Sequence, residues 1–302
     1  MPQKKKLQPV KIIIAFFSFL VVLFPARGQE ASINFDIAAS FDWRAGELNA
    51  RTSFNLAQAG LRIPSGRLRA ETILAEAWPR LFRPYLLSLR VDSEFTLGNL
   101  VDRGELSLHD LDSISLGAKR TPPNLSADMT SMIGRYTVAM ENISELLLRG
   151  ERRRATLPSL PLVPVQTADY TGIIILAYQE LPVRGRNSKA LVEPCLFPKI
   201  WDTNMNLVYD RYMTEAAGGR MVRYTETETV FRPTPSGLEG EIAALAGPRP
   251  LRIFAREVFG IYPTDPVIDR DDALQILSSE NNRRLLREGR VVLVLDAGRL
   301  GN

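Results

Sequence analysis

Apolar and polar residues alternate from Phe35 onward: Phe35, Ile37, Ala39, Phe41 and Trp43 fall on one face, Asn34, Asp36, Ser40 and Asp42 on the other. A period of two marks a half-buried strand. Arg44-Ala45-Gly46-Glu47 supplies a turn, after which Leu48, Ala50, Thr52, Phe54 and Leu56 alternate against Asn49, Arg51, Ser53 and Asn55, so the pattern predicts a hairpin. The spacing then becomes helical, with Ala70, Ile73, Leu74 and Ala77 on one stripe. Pro79 is expected to open a second helical segment carrying Leu81, Phe82, Tyr85 and Leu86, which Pro84 should disturb. A strand over Val91–Leu97, a short helix over Leu106–Leu111 and a loop over AKRTPPNLSAD follow. Tyr136, Val138 and Met140 alternate again, and Ile143, Leu146 and Leu147 return to helical spacing.

Between Arg149 and Gln166 the composition shifts to ERRRATLPSLPLVPVQ, which has no period of either kind and reads as a linker. Beyond it, Gly172–Tyr178 is a continuous apolar run of strand length, Leu251–Phe259 reads as a strand and Arg290–Asp296 (RVVLVLD) as a buried one. DALQILSSENNRRLLREG, with Asp269, Asp271 and Asp272 at its start, reads as one or two helices. Arg223–Phe231 (RYTETETVF) alternates with polar residues on both faces and predicts an exposed edge strand or ribbon. The expected fold is α+β, with two domains of mainly antiparallel sheets and a few packed helices: residues 29–150, a linker at 151–166, and residues 167–302.

The first 28 residues stand apart. MPQKKK and Lys11 precede the apolar run Ile12–Phe24, and Pro25-Ala26-Arg27-Gly28 closes it with small residues at the positions a signal peptidase reads. The run is short for a membrane span, so a signal peptide cleaved near Gly28 is expected, with a retained anchor as the alternative. This changes the charge picture. The segment holds five basic residues and no acidic one, so the formal +4 of the chain falls to −1 without it. A nearly neutral mature protein has no global electrostatic reason to bind nucleic acid. Arg149–Arg154 (RGERRR) is the one local basic cluster and reads as solvated linker. The single cysteine, Cys195, excludes an internal disulfide, and a buried strand thiol is its expected state.

Candidate chemistry is sparse. Asp202, Asn204 and Asn206 form D-x-N-x-N within CLFPKIWDTNMNLVYD, which is how a calcium loop begins. The position that normally turns on glycine is Leu207, however, and the one that supplies a bidentate glutamate is Met213. A hairpin turn explains the same residues, because Asp and Asn bond their own backbone. His109 is the only histidine, and its neighbours Asp110 and Asp112 do not face it on a helix. Glu226 and Glu228 would share a strand face about 7 Å apart, a spacing compatible with hydrolysis of a glycan. No phosphate loop is present. Catalytic, cofactor and metal residues are therefore expected to be none. The stretch Tyr224, Glu226, Thr227 and Glu228 is the candidate interaction edge, able to pair with a neighbouring subunit by strand addition.

The blocks TGIIILAYQEL and LVEPCLFPKIWDTNMNLVYD, followed by PLRIFAREVFG, DPVIDRDDALQIL and RRLLREGRVVLVLD, resemble a signature of exported bacterial flagellar and envelope assembly proteins, the relatives of flagellar assembly protein T and of the basal-disk lipoproteins. The likeness covers about residues 170–297; unlike the lipoproteins, this chain has no cysteine at its cleavage site. The resemblance implies a domain type and a compartment and brings no catalytic residue. The expected function is that of a non-enzymatic, periplasmic or otherwise exported structural or assembly protein, flagellum-associated, with envelope or flagellar proteins and copies of itself as partners and peripheral contact with the outer membrane. Two alternatives are a glycan-acting hydrolase using Glu226 and Glu228, and a ligand-binding protein with a deep apolar cleft between its domains.

Overall fold

A computed structural model describes residues 33–149, 156–159, 161, 163–215, 220–231 and 240–301. The expected signal segment, most of the RGERRR cluster and the start of the expected linker lie outside the described residues. The first half opens with the expected hairpin, β1 (Phe35–Asp42) and β2 (Glu47–Asn55), in register from Phe35 opposite Phe54 to Asp42 opposite Glu47. Leu48, Ala50, Thr52 and Phe54 point inward, as their alternation requires.

Helix α1 (Arg67–Ser88) then runs unbroken through Pro79 and Pro84, against the expectation of two segments. Each proline removes one backbone bond at a cost of about 3 kcal/mol. The helix also buries Trp78, Phe82 and Leu86 on the stripe begun by Ala70 and Leu74, at about 1.5–3 kcal/mol for each large side chain. Breaking the helix would take that second stripe off the core. Trp78 fixes the packing: it stacks on Tyr136 at 3.8 Å and on Phe82 at 4.4 Å, and its indole N–H donates to the Ser115 carbonyl at 2.7 Å.

Short helices α2 (Leu97–Asp102) and α3 (Leu108–Leu116) each start with a reciprocal cap, from Thr96 with Asn99 and from Ser107 with Asp110. Two expectations fail nearby. Val91–Leu97 is not a strand; a tight turn forms instead, in which the Asp92 carboxylate accepts from the Glu94 and Phe95 amides. The expected loop AKRTPPNLSAD contains a strand, β3 (Lys119–Leu125). Its prolines fit because β3 is an edge strand whose pairing with β4 (Ser131–Ala139) is interrupted between Thr121 and Asn124, where Pro122 and Pro123 sit. The first sheet is antiparallel throughout, in the order β1-β2-β4-β3, and α4 (Met140–Arg149) follows.

The second half is built on β5 (Ile173–Leu176), the minor pair β6 (Leu181–Pro182) and β7 (Lys189–Ala190), the hairpin β8 (Ile200–Asp202) and β9 (Leu207–Tyr209), and β10 (Val222–Glu226). Helices α5 (Thr227–Phe231) and α6 (Gly240–Ala246), strands β11 (Leu251–Phe259) and β12 (Asp265–Ile268), helices α7 (Arg270–Leu277) and α8 (Glu280–Arg287), and β13 (Val291–Leu295) complete it. Its seven-stranded sheet is mixed, in the order β10-β13-β5-β11-β12-β8-β9, with β10, β13, β5 and β11 mutually parallel. Both faces of β5 and β13 are buried, which is why they read as apolar runs. Ile174, Leu176, Val292 and Val294 pack under Val230 and Ala246; Ile173, Ile175, Leu293 and Leu295 face the larger core. Gly172 lets this packing close, since a Cβ there would lie 2.6 Å from the Ala246 Cα. The architecture is α+β in two domains, as the residue pattern predicts.

The two halves share one core, which runs from Leu48 and Trp78 to Ile253 and Leu295. Within the proline-rich connection, Leu157 is buried, the Pro158 carbonyl accepts from Arg283, and the Val165 amide donates to Ser278. That stretch is therefore held along α7 and α8.

Candidate functional site at the domain seam

Tyr224 is the centre of the seam. It lies on β10, 6% exposed, against an expectation of an open edge. Its hydroxyl donates to the Cys195 carbonyl at 2.8 Å and accepts from the Cys195 amide at 3.2 Å, while Trp43 from the first half meets its ring edge-on at 5.7 Å. Burial pushes both the Tyr224 hydroxyl and the Cys195 thiol well above their ordinary values, so both are held neutral. Cys195 is buried as expected, but on an irregular segment rather than a strand.

Charge clamps flank this centre. Arg220 and Arg223 share the Glu141 carboxylate of α4 at 3.2 and 3.3 Å, and Arg44 reaches Glu226 at 2.9 Å. Burial, reinforced by the neighbouring Arg220 charge, holds the Arg223 guanidinium below its ordinary value. The Trp43 amide bonds the Leu300 carbonyl, tying the chain's last described turn to the first hairpin. Of the four residues singled out as an interaction edge, Tyr224 and Glu226 thus meet the chain's own first half. Thr227 and Glu228 are not on a strand at all: β10 ends at Glu226 and α5 begins at Thr227. The reason is register. Glu226 pairs with Leu295, the last residue of β13, so beyond it there is no neighbouring strand to bond. Glu226 thus ends the strand while Glu228 lies in the helix, so the shared strand face expected for the two carboxylates does not form.

A second part of the seam lies around the Asp92 turn. The Leu196 and Phe197 amides bond the Arg90 and Val91 carbonyls at 3.1 and 2.8 Å, and the Tyr262 amide bonds the Ser93 carbonyl at 3.0 Å. Beneath them Asp265 is fully buried. It accepts from the Lys199 amide at 3.0 Å, the Thr264 hydroxyl at 3.1 Å and the Trp201 indole at 3.3 Å. Burial raises its pKa to about 6, despite these bonds. Burial works against the Lys199 ammonium, but Asp265, Asp92 and Glu94 outweigh it and raise its pKa; the ammonium reaches Glu94 at 3.3 Å. Above them opens a cleft of about 300 Å³ lined by Phe95, Arg103, Lys199, Asp210, Arg211 and Tyr212. Its walls carry charges of both signs, with Arg103 paired to Glu105 at 2.6 Å, whereas a ligand-binding protein was expected to show a deep apolar cleft. Asp265 and Lys199 gave no signal in the sequence, since neither lies in a recognisable spacing.

The D-x-N-x-N stretch is the expected hairpin. Asp202 accepts from the Asn204 amide at 2.9 Å, the Asn206 amide at 2.8 Å and the Asn206 side chain at 2.8 Å, and Met205 takes the positive φ of 61°. The carboxylate that would start a calcium loop is spent on its own turn. Among the described residues no cluster of three or more His, Cys, Asp or Glu is placed to hold a metal. His109 is exposed on α3, and the adjacent Asp110 is committed to the Ser107 cap. No helix among the described residues is long and apolar enough to cross a membrane.

Comparison with known families divides the chain where its fold does. Residues 34–146 match the family model described as Treponema pallidum Tp0624, N-terminal domain, and residues 172–297 match that described as Treponema pallidum Tp0624, second domain. No curated protein matches the chain.

Proposed function

We propose that the protein is a non-enzymatic, exported structural or assembly component of the bacterial envelope, flagellum-associated, which acts by fitting its surfaces against other molecules. The observation that carries this reading is the use made of its polar groups. Of the groups from which a reactive centre would be drawn, Asp202 closes a turn, Glu141 and Glu226 join the two halves, and Tyr224 and Asp265 hold buried backbone of the second half. A side chain that holds backbone in place is not free to change partners during a reaction. The compartment is inferred from the 28-residue leader, and the flagellar association from the sequence blocks after residue 170.

The test is expression of the tagged full chain with its leader in a flagellated bacterium, followed by fractionation and cross-linked pull-down. Recovery from the envelope with Gln29 as the first residue, together with flagellar basal proteins, supports the reading. Recovery from the cytoplasm with an intact N-terminus refutes export, and envelope recovery without flagellar proteins removes the flagellar part.

A further inference from the structure

The outer face of the first sheet places two arginines directly against each other. Arg51 on β2 lies opposite Arg135 on β4, and the same row continues to Ala38 on β1 and Thr121 on β3. Both arginines are exposed, and neither forms an ion pair among the described residues. The acid on that face nearest in register, Asp36, stands one row away opposite Ser53. Like charges facing across a ladder destabilise a sheet. The pair therefore works against the fold unless a negative group lies between the two guanidiniums.

The surroundings limit what that group can belong to. The next row is Ser40, Asn49, Thr137 and Lys119, with the Thr137 hydroxyl donating to the Asn49 side-chain carbonyl at 2.8 Å, which leaves the Asn49 amide group directed elsewhere. Apart from Lys119, these rows line a shallow groove of about 430 Å³, too large for one small anion and walled by hydroxyl, amide and guanidinium groups. Its apolar lining is mainly alanine, whereas a protein partner needs an apolar core to its interface. Recognition of anionic lipid takes a cluster of roughly four to eight basic residues, more than this face holds. A chain rich in hydroxyls and bearing spaced negative charges fits both the arginine pair and the hydroxyl and amide groups of Ser40, Asn49, Thr121 and Thr137 beside it.

We infer that this face binds an acidic polysaccharide, its carboxylate or phosphate groups seated between Arg51 and Arg135. The inference is independent of the proposed assembly role, since none of Arg51, Arg135 and the other residues of their row takes part in the contacts described at the seam. Calorimetric titration of the full chain with an oligogalacturonate tests it, with a neutral oligogalactoside of equal length, phosphatidylglycerol vesicles and oligoaspartate as comparisons. Binding of the acidic sugar alone is expected, weakening with added salt. Affinity should fall about tenfold in Arg51→Gln or Arg135→Gln, and beyond detection in the double variant. Equal binding of the neutral sugar, binding of vesicles or oligoaspartate in place of the sugar, no binding of the acidic sugar, or a double variant that binds as the parent does would each overturn it. Thermal melting supplies a second measure: each single variant should melt no lower than the parent without ligand, because it relieves the opposed charges. A lower midpoint would mean that the pair is already neutralised within the chain, which also overturns the inference.

Discussion

Replacing Tyr224 by phenylalanine removes one oxygen atom and leaves the ring against Trp43 in place. The lost hydroxyl satisfies both backbone groups of Cys195, which is 0% exposed. A buried backbone group left without a partner costs about 1–3 kcal/mol, so two of them set the penalty at roughly 2–6 kcal/mol. One relief is available. A cavity of about 20 Å³ borders Tyr224, Cys195 and Trp43, just large enough for one water molecule, and a water seated there would hold the cost near the lower bound. Urea unfolding followed by tryptophan fluorescence measures the change. In a thermal scan each kcal/mol corresponds to about 2–4 °C for a large domain, so the midpoint should fall by roughly 4–24 °C, toward the lower end with that water in place. Because the halves share one core, the transition should stay single and move as a whole. A loss under about 0.5 kcal/mol would refute the view that the Tyr224 hydroxyl satisfies the Cys195 backbone, and a variant in which the first half melts unchanged while the second melts early would refute the single shared core.

Other perturbations follow the same reasoning. Asp265 has a folded pKa of about 6, above its ordinary 3.8. The native state therefore keeps a proton that the unfolded chain releases between those values, and this group's contribution to stability falls as pH rises through that window, then levels off above it. The change is roughly 3 kcal/mol; Asp265→Asn should flatten the slope of unfolding free energy against pH, and an unchanged slope would rule out Asp265 as its source. Asp202→Ala removes three bonds within the β8–β9 turn and should cost about 2 kcal/mol in the same urea assay. Added calcium should leave the parent's melting midpoint where it is; a rise in midpoint that the Asp202→Ala variant lacks would restore the metal-loop reading.

Elements whose partners are adjacent in the chain were legible from the sequence. The first hairpin and the DTNMN turn carry their own registers, and β5, β11 and β13 declare themselves by apolar content. The misread segments are those whose conformation depends on a distant neighbour. Lys119–Leu125 has two prolines and the composition of a loop, yet it pairs with β4 because an edge strand can do without those N–H groups. Val91–Phe95 has strand-like residues, but Asp92 folds it into a turn and the Val91 and Ser93 carbonyls are claimed by Phe197 and Tyr262, more than one hundred positions later.

The seam was the least legible part, and its geometry shows why. Tyr224 was singled out for an alternating, polar pattern, which describes Arg223–Phe231 as a ribbon open on both faces. Alternation reports only which residues share a face; it does not report what covers that face. Arg223 and Tyr224 point to opposite sides of β10, yet both meet the first half, through Glu141 and Trp43. A polar residue on such a strand is therefore clamped rather than solvated, and the sequence separation of 182 between Arg44 and Glu226 puts that distinction beyond any local window. The end of the strand is equally non-local. Nothing between Glu226 and Thr227 breaks the period of two, and the residues that follow would extend as readily as they coil. The chain turns helical there because β13 stops at Leu295, leaving the next residue without a ladder partner. In a parallel ladder the neighbour lies across a crossover connection, and here β13 is reached only beyond α5, α6, β11, β12, α7 and α8, so where β10 ends is decided far outside any local pattern.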